Sequence, residues 1–215
     1  MVLLIAAVCF AVLCFNGLGA STSAVAAKAP SNASAPVNMT STANLLISDS
    51  GTNMSIMNKT LASHSFFGLQ AFGIGQTVKF TPPKAGWKLE RVIVYGSDGW
   101  NSSQNTTPIQ GIFALEIRDA KLNLLHQYSD TQLAYFTSAN GVRAALIDVP
   151  AITMTGDFYV CFYGGGLVSL VTELDKATGK SYYYVRDTGQ LVPGALPTKN
   201  NTTLPVNWII RVVGE

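Results

Sequence analysis

Between Gly156 and Gly166 the chain reads Gly-Asp-Phe-Tyr-Val-Cys-Phe-Tyr-Gly-Gly-Gly, a run of six apolar or aromatic residues bounded by Asp157 and closed by three glycines. Extended backbone sends successive side chains to opposite faces. Here both faces are apolar, so layers must cover the segment on both sides, which places it near the middle of a sheet.

The segments around it read as strands as well. Gln76 to Phe80 alternates, with Val78 and Phe80 on one face and Thr77 and Lys79 on the other, and Pro82-Pro83 ends it. Leu45 to Asp49, Leu89 to Tyr95, Leu124 to Tyr128, Leu133 to Phe136, Ala144 to Val149, Val168 to Glu173, Tyr182 to Val185 and Trp208 to Val213 fit the same description. Phe113 to Arg118 predicts a strand with one wet face, its Glu116 and Arg118 outward. About ten short strands separated by turn residues suit a two-sheet antiparallel sandwich. Long helical patterns are almost absent, and no internal repeat points to a propeller or solenoid.

Charge excludes one class of partner. Only 12% of residues are charged, the net charge is +2, and the Lys and Arg residues are scattered singly. A nucleic-acid reader needs a concentrated basic face, so nucleic acid is not an expected partner.

The N-terminus carries an address. Val2 to Phe15 is an unbroken apolar run, shorter than the ~20 residues of a membrane span and right for the core of a signal peptide. Small residues follow, with cleavage sites after Ala20 or within Ala24 to Ala27, although no Lys or Arg precedes the run. Residues 1–27 are therefore read as a signal peptide. The alternative is a retained N-terminal anchor, the one route by which this chain would meet a membrane. Residues 28–44 are read as a flexible linker. From Ser21 to Asn44, 18 of 24 residues are Ser, Thr, Ala or Asn, too little apolar area to offset ordering entropy. Residues 45–215 form the predicted sandwich domain.

N-x-S/T sequons stand at Asn32, Asn38, Asn53, Asn58, Asn101, Asn105, Asn200 and Asn201. Eight of them behind an export signal predict a glycoprotein, with the asparagines on solvent-facing loops. After processing only Cys161 would remain, a lone cysteine read as a small buried hydrophobe.

Three pieces, Gly156 to Val160, Ala177 to Tyr184 and Asn207 to Val213, resemble the closing strands of jelly-roll-type sandwich modules found on secreted and cell-surface microbial proteins, often beside proteases. The likeness covers roughly Leu45 to Glu215. It implies a jelly-roll-like fold and a non-catalytic role, and no protease domain is read within these 215 residues.

Candidate chemistry is sparse. Histidine occurs only at His64 and His126, neither with a second ligand or nucleophile at a recognisable spacing. Gly96-Ser97-Asp98-Gly99 is no nucleophile elbow. The only glutamates are Glu90, Glu116, Glu173 and Glu215, and the first three are read as solvent-facing strand residues. Asp98 and Asp175 are weak calcium candidates in loops, without a spaced D-x-D-x-D pattern; no other metal or cofactor is expected. Aromatic rings are the best handle for binding, because sugars stack on exposed Trp and Tyr faces. Trp100, Trp87, Tyr182 and Tyr184 are the candidates. The sequence thus predicts an exported, non-enzymatic interaction module with a surface protein or polysaccharide as partner. The rivals are a carbohydrate-binding module using those aromatics and an enzyme with a sparse hydrolytic site.

Overall fold

The computed structural model describes residues 45–54, 60–62, 72–139, 141–174 and 176–215. The predicted signal peptide and linker lie outside the described residues, as do Asn32, Asn38, Asn58, His64 and Asp175.

The strands are β1 (Leu45–Ile47), β2 (Thr60–Ala62), β3 (Ile74–Phe80), β4 (Trp87–Ser97), β5 (Ile112–Asp119), β6 (Leu124–Thr131), β7 (Arg143–Met154), β8 (Phe158–Tyr163), β9 (Ser169–Glu173), β10 (Ser181–Val185), β11 (Gln190–Pro193), β12 (Ala195–Pro197), β13 (Thr203–Pro205), β14 (Asn207–Trp208) and β15 (Ile210–Gly214). They form two large antiparallel sheets packed against each other, a β-sandwich. One sheet runs β11-β10-β3-β8-β5-β6. The other runs β1-β15-β4-β9-β14, with β7 also on β4 and β2 also on β9, while β12 and β13 make a separate hairpin.

β8 lies between β3 and β5, with Val160 opposite Val78 on one side and Ile117 on the other. Its Phe158, Val160 and Phe162 enter the main core with Val78, Phe80, Trp87, Phe113 and Trp208. Burial of such a side chain contributes about 1.5–3 kcal/mol. Phe158 stacks on Phe80 at 5.5 Å and on Trp87 at 6.0 Å. Trp87, offered above as a ligand platform, is 2% exposed: it belongs to the core, with no face left for a sugar. Even glycine is required beside it, since a Cβ on Gly214 would meet the Trp87 ring at 2.5 Å.

Two expected strands differ. Leu133–Phe136 is a single helical turn, α1, closed by Phe136 N–H donating to the Gln132 carbonyl at 2.8 Å. Leu and Ala favour helix over strand, and the turn drives Phe136 into the core, edge-on to Phe113 at 5.2 Å. The C-terminal strand is split at Ile209. Its N–H donates to the Val171 carbonyl at 3.0 Å and its carbonyl accepts from Tyr95 N–H at 3.2 Å, so β14 pairs with β9 while β15 pairs with β4 and β1.

The expected wet faces are also partly covered. Glu116 and Glu173 are buried, against expectation, while Glu90 is exposed. On the outer side of the six-stranded sheet, Tyr163, Cys161, Tyr184 and Ala114 form a second apolar cluster. Tyr163 lies flat over Gly75, where a Cβ would come within 2.9 Å of the ring. Guanidinium groups stack on this aromatic layer, Arg118 at 4.4 Å from the Tyr184 centroid and Arg186 at 4.3 Å from that of Tyr163. Glu116 binds Arg118 at 2.8 Å, Arg186 at 2.7 Å and the Tyr163 hydroxyl at 2.8 Å. Burial works to raise the Glu116 pKa, but these three donors outweigh it and hold the carboxyl below its ordinary range.

The outer side of the seven-stranded sheet is closed in a comparable way by residues 45–54. Asp49 receives both Arg211 Nε (2.8 Å) and Nη2 (3.0 Å), and Met54 packs with Ile93, Tyr95, Val171 and Ile209. Glu173 accepts from Ser50, Thr52 and Asn207.

Candidate binding cleft at the Trp100 loop

β4 ends at Ser97 and β5 begins at Ile112; the connection between them is the largest polar loop of the described residues. It is built by local hydrogen bonds. Ser97 Oγ accepts from Gly99 N–H at 3.0 Å, and Asp98 Oδ1 accepts from Trp100 N–H at 3.1 Å. Asp98 Oδ2 accepts from the Thr137 hydroxyl, tying the loop to the residue that follows α1. The Trp100 indole N–H donates to the Thr106 carbonyl at 2.9 Å, which fixes the plane of the ring across its own loop. Between them Ser102–Gln104 makes one 3-10 turn, capped by Asn101 and ended by Asn105 at φ 51°. Farther on, Gly111 N–H donates to the Gln132 side-chain oxygen at 2.7 Å, and the Gln132 amide donates to the Ile109 carbonyl.

The result is an open cleft of about 190 Å³ lined by Asp98, Trp100, Thr106, Thr107, Ile109 and Leu167. Typical sites for drug-sized ligands start at roughly 300 Å³, so this cleft suits one ring or one side chain. Trp100 is half-buried and Ile109 is 74% exposed. An aromatic face, two aliphatic side chains and two threonines can grip the apolar face and hydroxyl rim of a small polar ring. The one carboxylate, Asp98, has a hydrogen bond on each oxygen, so it is occupied in holding the loop.

The four aromatic candidates do not share a surface. Trp87 is in the core at the far end of β4, and Tyr184 is 4% exposed beneath Arg118. Burial removes both as platforms. Tyr182 is half-buried, its hydroxyl donating to the Gly179 carbonyl at 3.1 Å and its ring edge-on to Tyr159 at 6.2 Å, on the outer face of the six-stranded sheet. Trp100 alone stands at a cleft.

The two buried glutamates do not form a hydrolytic pair. Glu116 and Glu173 lie on opposite sheets, each saturated by donors. Among the described residues no group of three or more His, Cys, Asp or Glu could hold a metal ion, and Asp175, the other calcium candidate, lies outside them. His126 is half-buried on β6, in register with Ile117.

Sequence reasoning missed one further concavity, about 320 Å³, at the seam where β1 meets the end of β3, with Ile47, Lys79, Phe80, Thr178 and Lys180 on its walls. Ser48 Oγ donates to the Lys79 carbonyl at 2.7 Å and Thr178 Oγ1 to the Ser48 carbonyl at 2.6 Å, tying the walls together. Lys79 is already paired with Asp157 at 2.6 Å, a hydrogen bond that raises the lysine pKa and lowers that of the aspartate. No linear signal could have shown this groove, because three distant segments build it.

No protein-family model matches this chain, and a search of curated proteins finds no match either.

Proposed function

We propose that this protein is a non-enzymatic, extracellular or cell-surface interaction module that recognises its partner at the Trp100 cleft. The observation that carries the reading is the loop's construction: a half-buried indole at the edge of a shallow opening is tied by its N–H to the Thr106 carbonyl of its own loop. Such a fixed ring presents a recognition surface at little ordering cost. The exposure of Asn53, Asn101, Asn105, Asn200 and Asn201 is compatible with an exported glycoprotein. A polysaccharide is the partner favoured by the cleft's mixture of indole, aliphatic and hydroxyl groups; a surface protein inserting one side chain is the other. The experiment is affinity electrophoresis of the full chain through soluble glucan, xylan, mannan and chitin oligomers, comparing it with Trp100→Ala. Retardation lost in the variant at unchanged melting temperature supports the reading. Equal retardation of both proteins removes Trp100 from it, and release of reducing sugar abolished by one acidic substitution would replace it with an enzyme.

A further inference from the structure

The cleft is flanked by two sequons. Asn101 directly follows Trp100, and Asn105 directly precedes Thr106, whose carbonyl holds the indole. Asn101 has the more telling geometry. Its Oδ1 accepts from Ser103 N–H at 2.9 Å and from Ser103 Oγ at 2.8 Å, which uses the carbonyl side of the amide and leaves Nδ2 without a hydrogen bond among the described residues. Ser103 is also the hydroxyl residue that the sequon requires. All of these contacts lie within residues 101–105, so a nascent chain can form them before the sandwich exists. The hairpin sequons are arranged otherwise: Thr202, the hydroxyl residue for Asn200, bonds across the turn to Thr198 Oγ1 at 2.6 Å.

We infer that Asn101 carries an N-linked glycan on the rim of the Trp100 cleft and that this glycan controls access to the indole, an inference that rests on reading the cleft as the recognition surface. In the transfer, an Nδ2–C1 bond replaces one Nδ2–H bond. The C1–O bond of a lipid-pyrophosphate-linked sugar breaks, the lipid pyrophosphate leaves with the electron pair, and the amide proton passes to a base of the transferase. The physical effect is tethered competition. A sugar held beside the ring by a short flexible linkage reaches an effective concentration on the order of millimolar, so it competes wherever its own dissociation constant at the ring lies below that concentration, and its bulk obstructs larger ligands.

Trp100 can be read without any ligand. The chain has three tryptophans, and Trp87 and Trp208 are 2% and 0% exposed, so acrylamide quenching of native fluorescence reports the loop indole. The full chain would be secreted from a eukaryotic host, its glycopeptides mapped by mass spectrometry, and its quenching compared with Asn101→Gln, Ser103→Ala and Asn200→Gln. The expected result is a glycan at Asn101 and a several-fold rise in the quenching constant for the first two variants, with none for the third. Enzymatic removal of the glycan from the folded wild type should give the same rise, which separates access from any effect on folding. An unmodified Asn101, or quenching that ignores the glycan, overturns the inference. Loss of the Trp100 effect on polysaccharide retardation would overturn the functional reading instead and leave this result standing.

Discussion

Trp87 and Trp100 sit at the two ends of one strand and are held by different forces. Trp87 opens β4 inside the sandwich, 2% exposed and stacked on Phe158. Trp100 stands three residues beyond the end of β4, half-buried, its ring fixed by a hydrogen bond to Thr106. The first is oriented by what surrounds it and would have no fixed position outside the core. The second is oriented by its own loop and keeps a face for something else. Packing holds the first ring and a local hydrogen bond holds the second, about one strand length away.

The largest break in that comparison lies at the packed end. Phe158→Ala removes the ring between Phe80 and Trp87 and should cost about 3–5 kcal/mol, a large share of a domain stability of ~5–15 kcal/mol. Urea melts should show it as a lower midpoint at unchanged slope. A loss under about 1 kcal/mol would mean that the core closes over the gap and that Trp87 does not depend on β8.

The Glu116 network comes next. Glu116→Gln leaves Arg118 and Arg186 over their tyrosines with no counter-charge, a loss of about 1.5–3 kcal/mol for charged hydrogen bonds, softened by the partial exposure of Arg186. The pH dependence follows from the lowered pKa of the carboxyl. A carboxyl lower in the folded than in the unfolded state contributes stability that is full above its unfolded value, near 4.5, and is lost as pH falls through the folded value. Wild type should therefore lose stability more steeply than Glu116→Gln below that point; parallel curves would show that Glu116 is not held as described.

This network also marks where the sequence stopped being legible. The apolar character of both faces of Phe158 to Tyr163 located β8 correctly between two strands and required layers on both sides. The same requirement applied to its neighbour β5, yet Glu116 and Arg118 read as a wet face because alternation reports polarity and not burial. Small residues at Gly75, Ala114 and Cys161 give the tyrosines room to lie down, and guanidinium groups can cap aromatic rings. Nothing in a linear pattern states that pairing. The loop position of Trp100 was legible for the opposite reason, since its nearest polar neighbours are adjacent in the chain, whereas the Thr137 tie and the Leu167 wall of the cleft were not. Trp87 was not, since only the register of β4 decides whether a strand-end tryptophan points in.

Cys161 gives a smaller effect with a sharp sign. Burial pushes its thiol up to about 12, so at pH 8 almost no thiolate exists and none of it is exposed. A disulfide-exchange reagent should fail to label the native protein and label it fully in denaturant. Rapid native labelling would show the outer aromatic layer opening on the time scale of the assay.

The smallest change to stability should come from the residue of greatest functional interest. Trp100→Phe keeps an aromatic face but removes the indole donor to the Thr106 carbonyl. Water can replace that donor at an open cleft, so the cost should stay within the ±0.5 kcal/mol of an ordinary surface substitution. Binding divides the two roles of the ring. If the face alone matters, Phe retains most of the affinity that Ala loses. If the fixed orientation matters, Phe falls most of the way toward Ala, because an untethered ring must be ordered when the ligand arrives. The loop's construction predicts the second outcome: four hydrogen bonds, from Ser97, Asp98 and the indole itself, position one ring. A Phe variant that binds like wild type would reduce those bonds to loop closure, and a Phe variant that melts several degrees lower would make Trp100 a second Trp87.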